Sequence, residues 1–297
     1  MSPEEIFQGQ REWFRRYLRV VLGEAEPIVA ENVQVAELLL MEAEVDAARR
    51  ALRQAGPPRW TPPETWFVRQ VGTRCMSTSL ANGMISLGET CFGEGDDREE
   101  RVHELTEDVV QNTSAFGKPG DYRSVDDLFK YLESGRLARV TPDGAPFSRE
   151  YRVRLTCSLL DVVEALWSGK GRLLIQRRAH AYLAFGLEVG PEREQVLFRD
   201  PMHSSGPGFD RISLETLRRD YLWSPLKKIP RLMGPHAFRR LTADELIGHL
   251  ERYDEMENLG VDCPSALVYR AEDAPPLRSP PEPAAPVEEG AVARKQE

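Results

Sequence analysis

Near the N-terminus, Trp13, Phe14, Tyr17, Leu18 and Val21 recur at the spacing of one helical face. Ser2, Pro3 and Glu5 stand ahead of them as a capping box with proline at the first helical position, so a helix is expected here. A second run, Pro27 to Ala55, is rich in Ala, Glu, Leu and Arg and stops at Gly-Pro-Pro, which predicts a helical hairpin. The prolines of GPPRWTPPETW then impose an extended connector. Beyond it, Met76, Leu80, Met84 and Leu87 form one stripe of a helix that begins at Cys75 and stops at Gly88. Further helices are expected from Ser124 to Gly135, from Ser158 to about Gly169, over SLETLRRDYLW, and over TADELIGHLERYDEMENLG with its Thr242/Glu245 box. Short apolar runs at 172–176, 181–189 and 195–200, separated by turn chemistry, read as strands. Helices first and an antiparallel meander later, with no βαβ alternation, predict an α+β fold.

These patterns divide the chain into an N-terminal helical module (1–56), a Pro-rich linker (57–65), a main domain (66–271) and a proline-rich tail (272–297) expected to be disordered. The module is expected to be separable, contacting the main domain or a protein partner through the Trp13/Tyr17 stripe. A length of 297 residues with 41% hydrophobic content supports one core and a second small module. The net charge of −9 supplies no basic field for nucleic acid or an anionic membrane surface, so neither is expected as a partner. The acidic residues at the N-terminus differ from a signal peptide, and no apolar run is long enough to span a bilayer. Cysteines at 75, 91, 157 and 263 form no CxxC pair and no zinc spacing. A reducing, cytoplasmic setting follows, with no metal or organic cofactor expected.

Chemistry concentrates on Cys75. At a helix N-terminus, backbone N–H groups and the macrodipole favour an anion and lower a thiol pKa from about 8.5. A thiolate nucleophile needs a base. Of the five histidines, His103, His203, His236 and His249 fall in charged, loop-like or helical segments, whereas His180 immediately precedes an apolar strand. If 181–189 and 195–200 form a hairpin, Asp200 closes the strand beside the one His180 opens, where a carboxylate orients the imidazole. Considered singly, Cys75 is also readable as a packing thiol, His180 as a strand-edge histidine and Asp200 as an Asp-Pro turn initiator.

Together, this order resembles the papain-fold cysteine peptidases of the C39-like group, whose bacteriocin-processing members cut leader peptides. Cys75, Leu80, Ala81, Leu87 and Gly88 match that family's C-x4-L-A-x5-L-G helix, and HAYLAFGLEV with VLFRDP is similar to its His strand and Asp-Pro turn. SVDDLFKYLESGRLARV, LLDVVEALWSGKGRLLI and ISLETLRRDYLW resemble its other elements, so the likeness spans roughly residues 66–225. Arg74 and Met76 stand where the family has Asp and a small residue. Residues 1–56 have no counterpart in that group. The resemblance implies a papain-like fold, with the nucleophile helix packed on an antiparallel sheet, and an oxyanion-hole glutamine. Gln70 answers to it, one position closer to the cysteine than in the family.

The resulting expectation is a cysteine peptidase or amidase acting on a peptide or protein substrate. Cys75 forms a thioester, His180 serves as general base and acid, and Asp200 orients it. Two other readings share these residues: an acyltransferase or transglutaminase-like enzyme in which an amine captures the thioester, and a catalytically inactive protein-binding module. The acidic GEGDDREE stretch is a weak sign of an amine-binding pocket, and its simpler reading is a solvated loop.

Overall fold

A computed structural model of the chain describes residues 1–22, 33–60, 66–94, 97–104, 150–177, 180–190, 193–222 and 265–275. Helices α1 (Pro3–Leu22), α2 (Val33–Ala55) and α3 (Cys75–Ser86) come first. They are followed by β1 (Tyr151–Leu155), α4 (Leu159–Ser168), β2 (Gly171–Arg177), β3 (His180–Val189), β4 (Glu194–Arg199) and β5 (Asp210–Ser213). A short α5 (Leu214–Thr216) runs into a π-helical turn, Leu217–Tyr221, and β6 (Ser265–Arg270) precedes a 3₁₀ turn, Ala271–Asp273. The six strands form one sheet in the order β1-β6-β2-β3-β4-β5, with every neighbouring pair antiparallel. The fold is α+β, as the pattern predicts.

Strand alternation gives the sheet two apolar faces. Leu174, Leu183, Leu197, Ala266 and Val268 join Leu80, Ala81 and Met84 of α3 in one core cluster. Their neighbours Leu173, Ala184, Val196 and Leu267 join Val162, Val163 and Leu166 of α4 in the other. α3 is wholly buried because residues outside the sheet, including Phe67, Phe92 and Val102, belong to its cluster as well.

The second cluster also holds Phe7 of α1 and Ala48, Ala51 and Leu52 of α2, so the N-terminal helices share a core with the sheet. Their polar contacts agree. Arg11 reaches Asp161 of α4 at 2.8 Å, and Glu44 of α2 accepts from the Leu159 N–H and from Arg218 Nε, each at 2.6 Å. The Trp13/Tyr17 stripe is engaged inside the chain. Its rings stack at 5.2 Å, and the Arg50 guanidinium of α2 lies 3.5 Å from the Trp13 centroid. Trp60 in the connector packs so tightly on Gly169 that a Cβ there would stand 2.4 Å away, and the residue's φ of 72° also favours glycine.

α4 has the ends its sequence predicts: the Ser158 hydroxyl accepts from the Asp161 N–H, and Gly169 closes the helix in the left-handed region. The Ser2/Glu5 box also forms. SLETLRRDYLW is α-helical only over Leu214–Thr216 before the π turn. Strands β1, β5 and β6 are additions to the predicted meander. The helices expected at 124–135 and over TADELIGHLERYDEMENLG, the start of the second helix, and Cys263 lie outside the described residues. So does the tail from 276, while Glu272 and Asp273 belong to the 3₁₀ turn. No helix among the described residues is long and apolar enough to cross a membrane.

Candidate active site

Cys75 is the first residue of α3, and its placement follows from how closely that helix lies on the sheet. Gly83, two turns on, brings α3 within reach of β3: a Cβ there would stand 3.3 Å from Leu183. At the far end, buried Arg172 of β2 donates to Ser86 Oγ and to the Ser86 carbonyl, both at 2.8 Å, and also to the Gly169 carbonyl at 3.0 Å. One cation thus holds the C-terminal ends of α3 and α4. At the N-terminal end Arg74 supplies no side-chain cap. The backbone N–H groups of Ala181 on β3, then of Met76 and Cys75, act on the thiol and favour its anion.

The expected depression of the thiol pKa is overturned. Burial, the largest effect, pushes the Cys75 thiol up from its ordinary value, and the charge of Asp200 adds to the rise. The three N–H groups pull downward without prevailing. A helix N-terminus favours the anion, but only 6% of this residue is solvent-accessible, and desolvation costs more.

His180 and Asp200 are brought together as read from the sequence. Nε2 of His180 lies 2.7 Å from Asp200 Oδ1, with both side chains part-buried. The β3–β4 hairpin supplies the juxtaposition, since its register runs through the Leu183–Arg199 pair at this end of the strands. Asp200 Oδ1 also accepts from the Met202 N–H at 2.8 Å, so the Asp-Pro turn orients the carboxylate. A carboxylate only accepts, which assigns the proton to Nε2 and leaves Nδ1 as the basic nitrogen. Cys75 and His180 form no hydrogen bond with each other among the described residues. On β3 the backbone of Ala181, one residue along from His180, acts on the thiol instead.

Residues 66–70 join the two halves of the site. Phe67 and Gly206 exchange backbone hydrogen bonds, and the Gln70 N–H donates to the Pro201 carbonyl at 2.8 Å, so the chain entering α3 is stitched to the Asp200 loop. On its other side this segment is clamped by Asn82, whose Oδ1 accepts from the Val68 N–H at 2.8 Å while Nδ2 donates to the Val68 carbonyl at 2.9 Å. Arg199 supports the loop from beneath by donating to the Ser204 carbonyl at 2.6 Å and to that of Gly208. The Gln70 amide itself donates to the Gly72 carbonyl at 2.8 Å, within its own turn. One of its two N–H bonds is therefore already engaged.

Sequence reasoning passed over Asn82, Arg199 and Tyr182. Asn82 lies off the Met76/Leu80/Met84/Leu87 stripe, beside Thr78, Ser79 and Ser86, so its burial and its need for a partner show only in the folded chain. Arg199 sits between Phe198 and Asp200, and only the loop geometry explains it. Tyr182 packs perpendicular to His180 with ring centroids 4.6 Å apart. Among the described residues no group of three or more His, Cys, Asp or Glu side chains is arranged to hold a metal ion. No protein-family model matches the chain, and neither the curated proteins nor the solved structures yield a match.

Proposed function

We propose that the chain is a papain-like cysteine hydrolase, similar to the C39-like peptidases, that cleaves a peptide or amide bond. The observation that carries this reading is the convergence at one sheet end: a thiol on an uncapped helix N-terminus, beside a strand opened by a histidine whose Nε2 is held by Asp200.

Because burial keeps the thiol protonated at rest, His180 acts as a general base during attack rather than as the cation of a preformed pair. Its Nδ1 takes the Cys75 proton as the sulfur bonds to the carbonyl carbon. The electron pair of that carbonyl moves to oxygen, where the N–H of Cys75 and the second N–H of the Gln70 amide donate to it. Collapse breaks the C–N bond, and His180 returns the proton to the leaving amine. Water, deprotonated by His180, then cleaves the thioester, releasing the acid and restoring the thiol. Asp200 holds the imidazole throughout and supports its positive charge.

Incubating active and Cys75→Ser protein with a cell lysate and mapping new peptide termini tests this reading. Products that gain one water in mass support hydrolysis. Acyl groups found on amines would assign the same site to acyl transfer, and no Cys75-dependent product would count against both. The raised thiol pKa and the missing Cys75–His180 hydrogen bond favour a second reading, an inactive protein-binding module. Under it, iodoacetamide labels Cys75 no faster in the native protein than in a His180→Ala variant.

A further inference from the structure

We propose that Tyr182 is the positioning residue for His180, its ring preventing the imidazole from pivoting on its single bond to Asp200. The inference rests on His180 being the base proposed above.

Asp200 Oδ1 holds Nε2 at 2.7 Å, but one contact point leaves the ring free to turn about that point and carry Nδ1 out of line. His180 opens β3, and residues two apart on a strand share a face. Tyr182 is therefore its neighbour on that face, and the rings meet at 89° with centroids 4.6 Å apart. This is the edge arrangement that aromatic pairs favour.

Tyr182 is itself braced. It stacks on Phe198 of β4 at 5.2 Å and meets Tyr221 of the π turn at 5.5 Å, while Phe198 and Tyr221 contact each other at 4.8 Å. The Leu183–Arg199 pair, one residue from both Tyr182 and Asp200, places the two on adjoining strand ends. Imidazole motion is thus limited by a carboxylate and by a ring anchored in the second core cluster. Burial and then the charge of Asp200 raise the Tyr182 pKa, so the phenol stays neutral throughout the working range of a histidine base. The contact belongs to the ring, and the hydroxyl is not required for it.

The test uses full-length protein with iodoacetamide as the probe of Cys75 and ¹⁵N shifts of the His180 ring as the probe of its tautomer. Tyr182→Leu is expected to slow Cys75 alkylation about two- to ten-fold at pH 8, the range that an aromatic pair supports. It is also expected to average the two ring nitrogen shifts. Tyr182→Phe should restore both the rate and the single tautomer, which a loss of general packing would not predict. A Tyr182→Leu protein with the parental rate and tautomer overturns the inference. Should that variant lack a cooperative thermal transition, Tyr182→Ile, which suits a strand, replaces it with the same criteria. His180→Ala separates the two proposals: unchanged alkylation there removes the base. The tautomer measurement on Tyr182→Leu then decides positioning alone, averaged shifts supporting it and parental shifts overturning it.

Discussion

Helices α3 and α4 lie on opposite faces of one sheet, are both buried, and treat their N-termini in opposite ways. α4 begins with a Ser158 hydroxyl on the Asp161 N–H, a Glu44 carboxylate on the Leu159 N–H, and an acidic residue in its first turn. Protein acceptors satisfy that end. α3 begins with Arg74, which gives no side-chain cap, and its first turn contains no acid. Its N–H groups face a thiol. A helix whose N-terminus is left to a titrating sulfur forgoes the stabilisation that a cap supplies, typically about 1 kcal/mol. Under the proposed function, the difference makes the α4 face the stabilising one and the α3 face the chemical one.

The largest expected effect comes from removing part of the stable face. Deleting residues 1–56 strips Phe7, Ala48, Ala51 and Leu52 from the second cluster and orphans Arg218. The remainder is expected to lose its cooperative urea transition. A soluble, cooperatively folding fragment from residue 57 would instead restore the picture of a separable module. Next in size is Glu44→Ala, which leaves buried Arg218 without its carboxylate and is expected to cost about 3–5 kcal/mol. Chemical denaturation measures it. A cost below about 1 kcal/mol, the range of exposed pairs, would mean that the pair is solvated.

A matched pair of cap variants sharpens the contrast. Ser158→Ala should cost about 1 kcal/mol and leave Cys75 alkylation unchanged. Arg74→Asp should do the reverse: gain roughly 0.3–1 kcal/mol by complementing the α3 dipole, while a carboxylate beside the thiol slows its alkylation. If both substitutions shifted stability in the same direction with no change in labelling, the two N-termini would be equivalent and the comparison would fail.

How much of this was legible follows the same division. α4 was readable end to end because Ser158 and Gly169 are local signals, and β2, β3 and β4 because consecutive strands joined by turns carry their own pattern. β6 was not. It inserts between β1 and β2, far away in sequence, and SALVYR reads as a strand only once those partners are known. β1 lies at the sheet edge and alternates arginines with apolar residues, which weakens its signal. At the site, His180 and Asp200 were recoverable because a hairpin fixes their relation. The thiol's shift was misjudged because dipole and burial act in opposite directions, and burial depends on residues from several segments, such as Phe67 and Val102, that no local window contains.

The smallest expected effect is a pH dependence that isolates the thiol. Folding raises the Cys75 pKa, so below the ordinary thiol value of about 8.5 both the native and the unfolded chain hold this proton and stability is independent of it. Above that value the unfolded chain releases the proton while the native chain keeps it. The native state then binds more protons, and stability falls as pH climbs from the unfolded pKa through the native one. Other groups titrate in this range, but they are shared with a Cys75→Ala variant and cancel in the difference between the two proteins. Urea midpoints between about pH 7 and 10 should therefore show the parental protein losing ground to Cys75→Ala as pH rises. A parental protein that gains ground instead would mean that the α3 N-terminus stabilises the thiolate more than burial opposes it. His180 would then be the cation of a resting ion pair rather than a base that acts during attack.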